Sequence, residues 1–146
     1  MTMLDLAIID AIEALVVAGV ALTTRALSKA RADLDLTLAQ WRVLVVLGTT
    51  SDGATISQVA EQIGVTLPAT SRQLRRLEQR GLVRISRDQV DRRATRVRLT
   101  RLGRSARDDV IAFRRARIAQ TAASLDLDPA MATQLARIAQ ALDQPG

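Results

Sequence analysis

Arginine dominates the chemistry open to this chain. Of its 21 basic residues only Lys29 is a lysine, and the charge is gathered in one place. Residues 55–101 carry eleven arginines against Glu61, Glu78, Asp88 and Asp91, a net of +7, while the rest of the 146-residue chain is nearly neutral at −1. A guanidinium is a planar fork of donors that meets phosphates and base edges two bonds at a time. Concentrated on a neutral scaffold, such charge is the footprint of nucleic-acid binding. Residues 66–80 hold four of the eleven. On a helical wheel, Arg72, Arg75, Arg76 and Arg80 share one side with Thr70 and Gln73, and Leu67, Ser71, Leu74 and Leu77 follow the other at spacings of four, three and three. A front of Arg and Gln suits the major groove, whose base edges offer matching donor and acceptor pairs. Alone, a basic helix face reads equally well as a solvated one, so the surrounding elements decide.

Other chemistries lack their residues. The chain has no cysteine and no histidine. That excludes disulfides, thiol redox sensing, Cys/His metal sites and the usual nucleophile–histidine pairs. The carboxylates are scattered among arginines. No enzymatic activity, no metal and no cofactor are expected. One Trp, one Phe and no Tyr leave no aromatic platform for single strands or RNA, so double-stranded DNA is the expected partner. With 48% apolar and 25% charged residues the composition is globular, and a single domain spanning 1–146 is expected. Residues 6–22 are apolar, but Asp10 and Glu13 interrupt them and no basic flank precedes them. This argues against a signal peptide or membrane span and for a cytoplasmic protein.

The elements that must position the arginines can be read in order. Residues 3 to about 32 form one long helix, with Leu4, Ile8, Ala11, Leu15, Ala18 and Leu22 on a stripe widened by Ile9, Ile12, Val16, Val20 and Leu27. Apolar around most of its circumference, it must bury two sides, either as a central core helix or as a core helix that also packs on a second copy; the second reading is favoured. Thr37-x-x-Gln40 and Thr55-x-x-Gln58 are capping boxes that start two further helices. The second, short helix carries Ile56, Val59, Ala60 and Ile63 and stops at Gly64. Val65 is placed to plug the tight link to the basic helix, in which Pro68 occupies the first turn and which Gly81 ends. Short helix, tight turn and polar-fronted helix make a helix-turn-helix. Two alternating strands follow, 82–86 and 95–99, around a polar loop at 87–94 with three arginines. This hairpin reads as a wing long enough to reach a minor groove, the alternative being a solvated hairpin. Thr100 caps a helix running to about Ser124, and Asp128 with Pro129 opens a last helix bearing Met131, Leu135, Ile138 and Leu142, ended by Pro145 and Gly146. The fold class expected is mainly α with a small β-hairpin: a winged helix-turn-helix lobe at 37–100, flanked by terminal dimerisation helices at 1–36 and 101–146.

Several residue sets then resemble a known family. Leu38, Trp41, Val43 and Leu44; Leu67-Pro68-Ala69-Thr70-Ser71-Arg72 with Leu74, Leu77-Glu78 and Gly81-Leu82-Val83; and Asp91-Arg92-Arg93 with Val97 and Leu99-Thr100 stand in the order found in the MarR family of bacterial transcriptional regulators. The resemblance covers nearly the whole chain and is strongest over 37–104. It implies a homodimer that binds a pseudo-palindromic operator, usually as a repressor, and a small-molecule effector that releases DNA from a crevice between the dimerisation helices and the DNA lobe. By position it implies DNA contacts from Pro68, Ala69, Thr70, Ser71, Arg72, Gln73, Arg75 and Arg76 on the recognition helix. It implies further contacts from Arg87, Asp91, Arg92 and Arg93 in the wing, with Arg92 or Arg93 in the minor groove and Asp91 paired to a nearby arginine. The chain departs from the family at Ile85, often an arginine, and at Arg87 and Gln89, where prolines are common. The alternative to an effector-released repressor is a constitutive or architectural DNA-binding dimer.

Overall fold

Reciprocal caps set the helix starts. In a computed structural model describing residues 2–144, helix α1 (Met3–Ala30) begins at Thr2, whose hydroxyl accepts from Asp5 N while Thr2 N donates to the Asp5 carboxylate. Helix α2 (Leu38–Gly48) and helix α3 (Ile56–Ile63) start at the two expected boxes, Thr37/Gln40 and Thr55/Gln58. Each box satisfies two backbone donors that a helix start otherwise leaves unpaired. Helix α3 ends at Gly64 (φ 67°), and helix α4 (Leu67–Gln79) runs into Gly81 (φ 71°), both in the left-handed region that glycine enters freely.

Strands β2 (Val83–Arg87) and β3 (Thr95–Leu99) pair antiparallel, with Val83 opposite Leu99 and Ile85 opposite Val97. The alternation places Val83, Val97 and Leu99 inward. A third strand, β1 (Ala54–Thr55), joins the free side of β3, giving the order β1-β3-β2. The expected hairpin is therefore two strands of a three-stranded sheet. β1 is only two residues long, too short to show any alternation.

Helix α5 (Arg101–Ala123) packs against α1 and α2, and helix α6 (Met131–Leu142) completes the described chain. Asp128 does organise the start of α6, since its carboxylate accepts from Ala130 N at 2.8 Å and its carbonyl from Met131 N at 2.9 Å, but the regular helix begins only at Met131. Pro145 and Gly146, expected to end this helix, lie outside the described residues.

The core lies where α2, α3, α4, the sheet and the first half of α5 meet. Val43, Leu44, Leu74, Leu77, Leu82, Val97, Ala106 and Val110 are buried there. A fully buried Leu or Val stabilises by about 1.5–3 kcal/mol relative to exposure, so this cluster holds the lobe rigid. The long helix α1 joins the core only through Thr23, Ala26 and Leu27 near its C-terminal end. Along its first two-thirds Leu4, Ile8, Leu15, Val17 and Val20 are exposed, and α6 has no buried residue at all.

Candidate nucleic-acid interface

Helix α4 is anchored by one face. Thr70, Leu74 and Leu77 are buried, and Arg72, Arg75 and Arg76 are exposed. Pro68 is exposed, while Ala69, Ser71 and Gln73 are half-buried along the flanks. Two residues depart from the expected wheel. Thr70, assigned to the outward face, is inside: its hydroxyl donates to the Thr66 carbonyl at 3.0 Å and meets no solvent. A threonine can turn inward in this way because the i−4 carbonyl satisfies its only donor. Leu67, assigned to the back, is 50% exposed, because the chain enters the helix there before it reaches the core. Val65 likewise does not plug the turn but stands 39% exposed, while Ala60 on α3 is buried.

The exposed arginines of α4 look across at the N-terminal end of α2. Thr37 and Gln40 on α2, with Ala69, Arg72, Gln73 and Arg76 on α4, line an open groove of about 350 Å³. Arg80 is not part of that free front. Its Nη1 donates to Gln40 Oε1 at 3.1 Å, the same oxygen that accepts from Thr37 N. Glu78, also on α4, reaches the sheet: its Oε1 accepts from Ile85 N at 2.8 Å. β2 is an edge strand, so this bond occupies an edge donor and ties α4 to β2.

The wing loop, residues 88–94, is built around a carboxylate. Asp88 Oδ1 accepts from Val90 N at 2.8 Å and from Asp91 N at 3.3 Å, while Oδ2 accepts from Arg96 Nε in a close ion pair. The ring closes through the backbone, with Asp88 N donating to the Ala94 carbonyl and Ala94 N to that of Asp91, each at 2.9 Å. The Arg96 guanidinium and then the Val90 N–H hold the Asp88 carboxyl down at about 2, against an ordinary value of 3.8. The expected partner of an arginine was Asp91. It makes no ion pair among the described residues and instead accepts from Arg93 N at 3.0 Å. Asp88 takes the role because the strand partner Arg96 lies beside it, whereas Asp91 sits at the loop's outer turn. Arg92 and Arg93 are exposed at that turn, and Arg87 is exposed at the end of β2 rather than within the loop.

The interface therefore brings together Arg72, Arg75 and Arg76 on one ridge and Arg92 and Arg93 on an adjoining projection. Spacing alone did not reveal Asp88, Arg96 and Glu78, which hold the two in register. Farther off, the Arg114-Arg115-x-Arg117 cluster of α5 splits. Arg114 turns inward over Trp41, and Arg117 donates to Gln120 at 3.1 Å.

Residues 34–94, from just ahead of α2 to the end of the wing loop, match the model of the MarR family. A comparison with curated protein sequences returned no match. Among solved structures, RV1404 from Mycobacterium tuberculosis is 25% identical with a TM-score of 0.82, covering 100% of this chain and 98% of its own. CouR from Rhodococcus jostii RHA1, solved with p-coumaroyl-CoA bound, is 25% identical with a TM-score of 0.70 over 92% of this chain and 93% of its own. FabT of Streptococcus pneumoniae, solved in complex with DNA, shares the fold at 22% identity and a TM-score of 0.76, over 93% of this chain and 95% of its own. With a winged helix-turn-helix lobe matched over residues 34–94 and helices at both ends that these solved structures share, the chain is similar to the MarR family of transcriptional regulators.

Proposed function

We propose that the protein is a homodimeric repressor that binds a pseudo-palindromic operator in double-stranded DNA and is released by a small-molecule effector in the cytoplasm. The observation that carries this reading is the ridge of Arg72, Arg75 and Arg76, exposed on a helix whose opposite face is locked into the core, with Arg92 and Arg93 projecting beside it. The ridge suits a major groove and the projection a neighbouring minor groove. FabT, of the same fold, was solved with DNA.

Dimerisation is supported by what the single chain leaves uncovered. Ile8, Ile9, Leu15, Val16, Val17 and Val20 of α1 are each 46–59% exposed, and Met131, Leu135 and Leu142 of α6 are 45–64% exposed. Patches of that size on a globular protein mark an interface. By length and apolarity α1 would also span a bilayer, but Asp10 and Glu13 lie in its middle and its C-terminal end is docked on the lobe. A second copy covers the patch without burying those carboxylates in lipid. Two-fold symmetry then sets two recognition helices about 34 Å apart, one turn of DNA.

Effector release is supported by the junction of the two regions. Trp41 of the lobe and Arg114 of α5 face each other there, an apolar ring and a cation suited to an aromatic anion, and CouR was solved with the anion p-coumaroyl-CoA. An effector works only if it binds better to a dimer whose helix spacing misfits the operator.

The test is recovery of fragmented genomic DNA at two salt concentrations, followed by sequencing. A shared inverted repeat that survives the higher salt supports the operator reading. Recovery without a shared motif, lost steeply with salt, leaves phosphate-driven binding and favours an architectural dimer. Titrating aromatic carboxylates against the recovered fragment separates an effector-released repressor from a constitutive one.

A further inference from the structure

At the wing's tip Arg92 and Arg93 are exposed, while Arg96 at its root is held. Arg96, on β3, spends its Nε on Asp88 and its Nη1 on the Gly53 carbonyl at 3.2 Å. Gly53 is buried in the turn that leads through Ala54 and Thr55 into α3. It holds φ 81°, and a Cβ there would stand 2.5 Å from the Val97 carbonyl oxygen. The turn is thus pressed on β3 at the point where Arg96 grips it. Asp88, with its side chain only 12% exposed, holds the loop's first turn from the other side. One guanidinium joins the wing's root to the segment that starts the helix-turn-helix.

We propose that Asp88, Arg96 and the Gly53 carbonyl form a clasp that sets the wing's angle against the recognition helix, so that Arg96 positions Arg92 and Arg93 on DNA without touching it. This rests on the DNA-binding reading above and adds a role that charge alone would assign differently. Counted as charges, Arg96 is one more phosphate contact and Asp88 a repulsive neighbour of DNA. As a clasp, both favour binding. The signs for Asp88 are opposite, and that makes the two accounts separable. With Nε on Asp88 and Nη1 on the Gly53 carbonyl, the Arg96 guanidinium is poorly placed to reach a phosphate.

The experiment uses the full chain and a fluorescent duplex that the wild-type protein selects from a random-sequence pool. Asp88→Asn, Arg96→Ala and Arg96→Lys are each measured alone and in an Arg92→Ala/Arg93→Ala background, with thermal melts to verify folding. Asp88→Asn is expected to weaken binding about tenfold, the scale of a lost charge-assisted bond, although it removes a negative charge. Arg96→Lys, which keeps the charge but loses the fork, is expected to fall with Arg96→Ala. Neither substitution at 88 or 96 should change affinity more than about twofold in the background lacking the wing arginines, because a positioning residue acts only through what it positions. In free Asp88→Asn, amide exchange at Val90 and Asp91 should quicken even if the melt is unchanged. Tighter binding by Asp88→Asn overturns the clasp, as does an Arg96→Ala loss that is equal in both backgrounds, the mark of a direct contact. If Arg92→Ala/Arg93→Ala binds like wild type, the wing reading itself fails and the clasp falls with it.

Discussion

The guanidinium of Arg114 lies over the indole ring of Trp41, 5.4 Å from its centroid, and joins α5 to α2. Trp41 is 6% exposed, and neither its Nε1 nor Arg114 Nε meets a hydrogen-bond partner among the described residues. The contact is therefore one of ring and charge rather than of hydrogen bonds. Trp41→Phe keeps a ring and forfeits no bond, so it is expected to cost about 1 kcal/mol or less, whereas Trp41→Ala leaves a cavity costing roughly 3–5 kcal/mol. Arg114→Ala removes a largely desolvated cation–π contact and should cost about 1–2 kcal/mol. Urea unfolding followed by circular dichroism would measure all three. Because Trp41 is the only tryptophan, its emission should also respond to any effector that enters between α5 and the lobe.

Thr70 and Arg72 are two residues apart in α4 and face opposite ways. Thr70→Val removes the hydroxyl donated to Thr66 at 3.0 Å but nothing at the surface. It is expected to lower stability by about 1 kcal/mol while leaving operator affinity within about twofold. Arg72→Ala is expected to leave stability unchanged and weaken operator binding about tenfold or more, the scale of one lost bidentate base pair contact. Anisotropy titrations beside thermal melts would separate the two effects. Equal losses of affinity would place Thr70 at the DNA after all.

These contrasts show what a linear pattern carries. Caps are local, so Thr37/Gln40 and Thr55/Gln58 could be read from three-residue spacings, and the left-handed glycines 64 and 81 from their place after each apolar run. The alternation of Val83, Ile85, Val97 and Leu99 likewise announced β2 and β3. Thr70 misled because its type is polar while its spacing, four and seven residues before Leu74 and Leu77, is that of the core stripe. The Asp88–Arg96 pair was hidden among other arginines within reach of Asp88 and Asp91. Only the folded turn, with Val90 N and Asp91 N aimed at one carboxylate, decides between them. β1 exists because Gly53 and Ala54 lie against Val97, a contact between segments more than forty residues apart that no local pattern records.

Asp88 also predicts a pH dependence. Its carboxyl is lowered in the folded protein, from 3.8 to about 2, by the Arg96 guanidinium first and the Val90 N–H second. A lowered folded value means that its stabilising effect is complete above the unfolded value and disappears as pH falls through the folded one. The difference in melting temperature between wild type and Asp88→Asn should therefore be constant above about pH 5 and close between about pH 4 and pH 2. A gap that persists at about pH 2 would show that the amide substitution disturbs packing rather than an ion pair. With no histidine in the chain, the wing should not change between about pH 5 and pH 8.

Gly103 tests how α5 is seated on the DNA lobe. Thr100 N donates to the Leu82 carbonyl at 3.2 Å, and the Thr100 hydroxyl donates to the Gly81 carbonyl at 2.6 Å while accepting from Gly103 N at 3.1 Å. The first turn of α5 thus rests on the link between α4 and β2. A Cβ on Gly103 would collide with the Leu82 carbonyl oxygen and stand 3.3 Å from Leu99 Cδ2. Two effects of Gly103→Ala oppose each other. Alanine favours a helix interior by about 1 kcal/mol over glycine, but overpacking against a fixed neighbour costs about 1–3 kcal/mol and occasionally more. Here the obstacle is backbone in a buried link, with no rotamer to turn aside, so the cost should win and α5 should lift from Leu82. Net destabilisation of about 1–2 kcal/mol is expected in denaturant unfolding, together with weaker operator binding, because the same link carries the C-terminal end of the recognition helix. A more stable Gly103→Ala protein would mean that α5 can slide without disturbing that link.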